Sequence, residues 1–178
     1  MAVVGNVLIH PYQMQRVKNF LDPWGDPLGN GYHVVQSMIA VGAGGLFGVG
    51  LGQSRAKFFY LPNHYTDFIF SIICEEGGFI FGTIVILLIA LFFIRGLKIG
   101  ADAGNDFGYY LAICLTNYLV FQAAINIGTV ISVFPATGIP LTFISFGGTS
   151  LIMSLFSVGV ILNISRHKPR DTSLDELS

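Results

Sequence analysis

From Phe107 to Ser165 the chain carries no Asp, Glu, Lys or Arg, a charge-free run of 59 residues. A charge at the centre of a bilayer costs about 2.5 to 3.5 kcal/mol on insertion scales, so a run of this kind is suited to lipid. It is too long for one crossing of about 20 residues and fits two crossings with a reversal between them. Pro135, Gly138 and Pro140 mark the reversal, because proline removes backbone donors and glycine relaxes the dihedral limits. The pattern predicts spans over 107–134 and 141–165, joined by a hairpin at 135–140. Another span is predicted over 68–94, whose stretch from Gly77 is uncharged and which stops before Arg95 and Lys98. Residues 1–10 are apolar but no more than about half the length of a crossing, and read as the end of a fourth span or as a short interfacial piece.

Composition agrees with an all-α integral membrane protein: 53% of the residues are hydrophobic and 11% charged, against about 25% charged in a soluble domain. Nine Lys and Arg against ten Asp and Glu leave no basic surface for nucleic-acid phosphates, so nucleic-acid binding is excluded. Cys74 and Cys114 lie in apolar runs without metal or redox spacing and are expected to be buried thiols.

Lys and Arg in short loops set orientation. Arg95 and Lys98 in the loop 95–106, with Arg166, Lys168 and Arg170 in the tail 166–178, assign both segments to the cytoplasm. Residues 11–67 and the hairpin then lie together outside. That long outer segment is rich in aromatic residues, and Val34, Val35, Met38 and Ile39 recur at helical spacing beside Gln36 and Ser37, predicting a short amphipathic helix. Gly42, Gly44, Gly45, Gly48, Gly50 and Gly52 follow. The lysine, hydroxyl residue and preceding strand of a phosphate loop are missing, so tight turns with close backbone packing are expected.

Asp67 stands where the outer segment meets a span. It reads either as a capping carboxylate on the helix dipole or as a general base at the water interface. Glu75 lies about 80° further round the helix with Ser71 between, so a polar stripe is expected to run inward from Asp67. Glu76 faces away, and pairing or a hydrogen bond to a neighbouring span is its expected role. Asn117, Gln122 and Asn126 are expected to hydrogen-bond between helices. No Gly-x-Ser-x-Gly motif is present and His10, His33, His64 and His167 lack metalloprotease spacing, which argues against a serine hydrolase or a dedicated zinc site.

Several separated strings, in order, resemble one family. They are Phe20-Leu-Asp-Pro-Trp-Gly-Asp-Pro27, Gly31-Tyr-His-Val-Val-Gln-Ser37, Tyr60-Leu-Pro62, Thr66-Asp-Phe-Ile-Phe70, Glu75-Glu76, and Pro135-Ala-Thr-Gly-Ile-Pro140 through Ser145-Phe-Gly-Gly148. Together they resemble the SEDS proteins of shape, elongation, division and sporulation. The Gly50-Leu-Gly-Gln-Ser54 run with Lys57, and Asn163-Ile-Ser-Arg166, look more like the FtsW and SpoVE branches than the RodA branch. The match is to the C-terminal part of a bundle of about ten spans, which implies a partial SEDS-type bundle.

The resemblance implies a peptidoglycan glycosyltransferase of the bacterial plasma membrane, placed at the division septum, that polymerises lipid II. Its implied partners are a class B penicillin-binding protein acting as transpeptidase and other membrane proteins of the division machinery. It carries the family's essential acid onto Asp67. Arg55, Lys57 or a divalent cation such as Mg or Mn would stabilise the leaving pyrophosphate, the metal being unknown. Gln36, Ser37, Ser71, Glu75, Ser145, Gly147 and Gly148 complete the expected substrate-binding set. Asn63, Tyr65, Thr142 and His33 stand where the family commonly has Glu, His, Pro and Gln. Two alternatives use the same residues differently: a lipid flippase, with Pro140, Gly147 and Gly148 as a broken helix lining a path, and a membrane scaffold needing neither Asp67 nor substrate.

The orientation is open to test on intact cells. A membrane-impermeant thiol reagent should modify cysteines introduced near Gly29 and Gly138 and spare one near Gly104; the opposite pattern would reverse the assignment.

Overall fold

The computed structural model describes Asp22, Gly25 and residues 32–54, 67–135 and 137–166. These residues form four α-helices and no strand: α1 over Tyr32–Ala43, α2 over Ile69–Ala101, α3 over Asp106–Val130 and α4 over Gly148–Arg166. α2, α3 and α4 are each long and apolar enough to cross a membrane. Three spans are thus as expected. The predicted end of a fourth at 1–10 and the tail from 167 onward lie outside the described residues.

The span boundaries differ from expectation in an instructive way. α2 continues to Ala101 instead of stopping at 94, which places Arg95 and Lys98 in its last turns and shrinks the loop 95–106 to four residues. Long basic side chains can reach the interface from inside a helix, and cations suit a helix C-terminus. α3 starts at Asp106, where Asn105 caps it by accepting from the Gly108 amide at 2.6 Å. It stops at Val130 instead of 134, because the amides of Val133 and Phe134 both turn back to the Gly128 carbonyl and Ser132 adopts a φ of 59°. α4 begins at Gly148, seven residues later than expected. Residues 141–147 are apolar but not helical: Leu141 accepts from the amides of Ile144 and Ser145, and Phe143 has a φ of 68°. The described residues of the reversal therefore run over 131–135 and 137–147 instead of 135–140.

α2 and α3 pack along each other, with Gly96 and Gly100 of α2 set against Thr116 and Ile113 of α3. Small residues at this spacing let two backbones approach, which is how membrane helices gain packing without a hydrophobic drive. A cavity of about 280 Å³ between Gly104, Asn105, Val160 and Asn163 shows that the α2–α3 turn and the end of α4 share one end of the molecule. Arg95, Lys98 and Arg166 are therefore gathered there. At the opposite end, Ala40 of α1, Phe68, Phe70 and Cys74 at the start of α2, Ala123 and Val130 of α3, and Leu141 form the buried core. Cys74 is buried as expected, but Cys114 is exposed on α3. Lipid is as apolar as a protein interior, so a thiol in a span needs no protein cover.

The glycine run and α2 form one unit. Inside α2, Gly78 has φ 70° and ψ −169°, a conformation open essentially to glycine alone, and the helix breaks there. In an unbroken helix Phe79 and Ile80 would donate to the carbonyls of Glu75 and Glu76. Here Phe79 donates to Gly45 and Ile80 to Leu46, while Val49 and Gly50 donate to Glu75 and Glu76. Four hydrogen bonds to the loop replace two within the helix. Side chains would forbid this contact, since a β-carbon at Gly44 would meet the Cys74 carbonyl and one at Gly78 would meet the Gly48 amide and Leu46 carbonyl. The expectation of tight turns and close backbone packing is met at Gly44 and Gly48, and the backbone they pack against is that of α2 around Gly78. The 23 residues from Phe79 to Ala101 make about 35 Å of helix, enough to cross the hydrocarbon unaided.

Gly78→Ala should therefore destabilise the folded protein by about 3 kcal/mol or more, combining strain with a backbone clash. Gly42→Ala, in α1 with nothing within 4 Å of the added carbon, should be neutral or stabilising by up to about 1 kcal/mol. Thermal unfolding of both variants in one detergent measures the contrast.

Candidate functional site

Asp67 lies in the turn that enters α2. The first helical residue is Ile69 and the N-cap position is Phe68, which makes no side-chain cap hydrogen bond. Asp67 thus precedes the cap and leaves the helix amides alone. Next to it Phe68 is buried in the core and stacks on the ring of His33 from α1, with centroids 6.3 Å apart. With Phe68 anchored, the Asp67 main chain is held at the core surface while its side chain is only partly buried. Among the described residues none hydrogen-bonds the carboxylate. A β-carbon placed on Gly138 would stand 3.6 Å from Asp67 Oδ2, so the reversal forms a wall beside the acid.

One face of α3 holds this wall in place. Gln122 Nε2 donates to the Pro140 carbonyl at 3.1 Å and to Ser150 Oγ at 3.3 Å. Asn126 Nδ2 donates to the carbonyls of Asp67 at 2.8 Å and Ile139 at 2.7 Å. Thr129 Oγ1 reaches the Pro135 carbonyl at 3.4 Å, and Thr142 Oγ1 returns to the Leu119 carbonyl at 3.0 Å. Gln122, Asn126 and Thr129 are spaced by four and three residues and so line one stripe of the helix. Gln122 makes the expected bond between helices, to Ser150 of α4, whereas Asn126 bonds to the turns at Asp67 and Ile139 and Asn117 bonds within its own helix to Ile113.

Other expected site residues have different work. Ser37 is fully buried and bridges the carbonyls of Val34 and Val130, tying α1 to the end of α3. Ser71, equally buried, donates to the Phe68 carbonyl. Ser145 accepts from the Leu141 amide and closes the turn before α4. Glu75, 4% exposed, accepts a hydrogen bond from Ser54 at the helix break and borders a cavity of about 490 Å³ with Ala43, Val49 and Gln53. The polar stripe from Asp67 through Ser71 to Glu75 is therefore absent: Asp67 lies before the helix, and the two others are turned to separate partners. Oε1 of Glu76 is buried and finds no donor among the described residues. Gln36 is partly buried on α1, and Arg55 and Lys57 lie outside the described residues. Among the described residues no cluster of three or more His, Cys, Asp or Glu is placed to hold a metal.

Gly147 and Gly148 do not serve close approach either. A β-carbon on Gly147 would stand 3.5 Å from Ser150, and one on Gly148 meets nothing within 4 Å. Gly148 opens α4, so the broken helix sits at Gly78 in α2 instead. The adjacent pair Gly77-Gly78 inside an otherwise long span was the available signal. Gly148→Ala should leave thermal stability within about 0.5 kcal/mol, in contrast to the glycines at the break.

Comparison with known proteins places this geometry. The family described as cell cycle proteins, FtsW, RodA and SpoVE, matches residues 1–170. Stage V sporulation protein E of Bacillus subtilis (strain 168) is 51% identical over 164 residues, which are 92% of this chain and 45% of that protein. A probable peptidoglycan glycosyltransferase FtsW of Trichlorobacter lovleyi is 45% identical over 169 residues, 93% of this chain and 44% of that protein. A chain from a peptidoglycan synthase complex, solved for its coordination of polymerization and crosslinking, superimposes with a TM-score of 0.75 at 30% identity, covering 96% of this chain and 46% of that one. The chain thus spans somewhat under half the length of these relatives. With three membrane-crossing helices and this match over nearly all its length, the chain is a multi-pass membrane protein and belongs to the FtsW, RodA and SpoVE family, the SEDS proteins.

Proposed function

We propose that this chain carries the acid-bearing part of a peptidoglycan glycosyltransferase that polymerises lipid II into glycan strands during division or sporulation. The observation that carries the proposal is Asp67: its main chain is clamped, its neighbour Phe68 is buried, and its carboxylate is left without a partner among the described residues. A capping carboxylate would be bonded to helix amides. A general base must instead keep its oxygens available to an incoming hydroxyl.

In the proposed step Asp67 takes the proton from a sugar hydroxyl of the acceptor as that oxygen attacks the anomeric carbon of the donor. The carbon–oxygen bond to undecaprenyl pyrophosphate breaks, and the pyrophosphate leaves with the electron pair. Arg55 and Lys57, or a divalent cation, would balance the charge that develops on it. Gln36 is available from α1 as a polar contact to substrate. A lipid-linked substrate arrives from the bilayer, which accords with a base at the mouth of a span. The outer face, with the Asp67 turn and the reversal, is assigned to the extracytoplasmic side from the basic residues gathered at the other end. A class B penicillin-binding protein as transpeptidase partner, further division-machinery proteins and a septal location belong to the same proposal. The relatives' names and the synthase complex support it. The flippase alternative loses its support at Gly148, and the groups freed at Gly78 are bonded to the glycine loop instead of lining a path.

Asp67→Asn, made in a chain of the relatives' full length, should lower lipid II polymerisation by about 10²- to 10⁴-fold at saturating substrate with little change in thermal stability. Near-normal turnover would remove Asp67 from the mechanism.

A further inference from the structure

Asn126 is buried in α3 with 1% of its surface exposed. Both donor hydrogens of its amide are committed, to the carbonyls of Asp67 and Ile139. Two carbonyl acceptors settle the orientation of the group, because only its NH2 end can face them. Oδ1 is thereby turned into a buried position where no described residue donates to it. An apolar side chain of similar volume would avoid that unmet acceptor but leave both carbonyls without a donor, so the amide is kept for its two bonds. The orphaned oxygen is the consequence of spending both donors on the two segments that flank the site.

Those segments come from different parts of the chain. Asp67 ends the approach to α2, and Ile139 lies in the reversal between α3 and α4. Gly138, the residue adjoining Ile139, forms the wall 3.6 Å from Asp67 Oδ2 when a β-carbon is built on it. One amide therefore fixes both the main chain that bears the carboxylate and the surface facing it. Gln122 also makes a pair of bonds, to Pro140 in the reversal and to Ser150 in α4, without touching Asp67.

We propose that Asn126 is the positioning residue of this site, holding Asp67 and the 138–140 segment in one geometry so that the carboxylate meets the acceptor hydroxyl at hydrogen-bond distance. The inference rests on the base role proposed for Asp67. A displacement of about 1 Å in such a group costs on the order of 100-fold in rate, whereas substrate affinity, set by other contacts, need not change.

The test uses a chain of the relatives' full length and lipid II polymerisation in detergent, with thermal unfolding recorded for every variant. Asn126→Leu should lower kcat by about 10- to 100-fold with KM within about threefold of the parent. Asn117→Leu, at an amide that bonds within α3 to Ile113, should leave kcat within about threefold. In the Asp67→Asn background, Asn126→Leu should cost less than about twofold more, because the group it positions is already disabled. Losses that multiply in the double variant, an Asn117→Leu defect as large as that of Asn126→Leu, or a fully active Asn126→Leu beside an inactive Asp67→Asn would each overturn the positioning role while the base stands. An active Asp67→Asn would overturn the base and the positioning role with it. If Asn126→Leu does not fold, the same comparisons are read on Asn126→Ser, which keeps a hydroxyl too short to hold both carbonyls.

Discussion

An amide or carbonyl freed in or beside a bilayer has no water to return to, so every departure from a helix there must be matched by a new partner. The break at Gly78 meets that condition through the glycine loop. Glu75 and Glu76 hand their carbonyls to Val49 and Gly50, and Phe79 and Ile80 take theirs from Gly45 and Leu46. The exchange needs two backbones in direct contact, which only residues without side chains permit. It joins the end of α1 to the start of α2, and Ser54 donating to Glu75 extends the joint. The turn bearing Asp67 leads directly into the helix so fixed.

The same constraint shapes the reversal between α3 and α4. Residues 131–135 and 137–147 abandon helix geometry over a stretch without a charged residue. Their carbonyls are served by side chains on one stripe of α3: Gln122 for Pro140, Asn126 for Ile139 and Thr129 for Pro135. Because Asn126 also holds Asp67, backbone satisfaction and placement of the acid are achieved by the same amide. Polar side chains in a span are costly in lipid and repay that cost where they bond to protein.

Chemically, the arrangement separates two kinds of acid. Glu75 is buried, bonded to Ser54 and part of the joint between loop and helix. Asp67 is only partly buried, with its main chain fixed and its carboxylate unengaged by the described residues. The first pattern is that of a structural carboxylate. The second is that of a group prepared for a substrate, since preorganisation asks for a rigid frame around a functional end left free.

Hydropathy and charge by themselves determined the class and the number of spans, because lipid excludes charge wherever it occurs and needs no tertiary detail to do so. The motif around Thr66-Asp67-Phe68 likewise made the acid and the family legible. What hydropathy cannot register is backbone geometry inside apolar sequence. Leu141 to Phe146 read as helix by composition, yet the turn closed by Ser145 on Leu141 makes them loop. The Gly77-Gly78 pair marked the break only weakly, since a glycine in a span is compatible with a straight helix until another backbone arrives to take the freed groups. Ser37, Ser71 and Glu75 looked like substrate contacts for the same reason: a sequence shows that a polar side chain exists, and only the folded chain decides whether its partner is another part of the protein. Asn126 was recognisable as a hydrogen-bonding residue, but the identity of its partners, and with it the geometry of Asp67, was settled by the meeting of segments far apart in the chain.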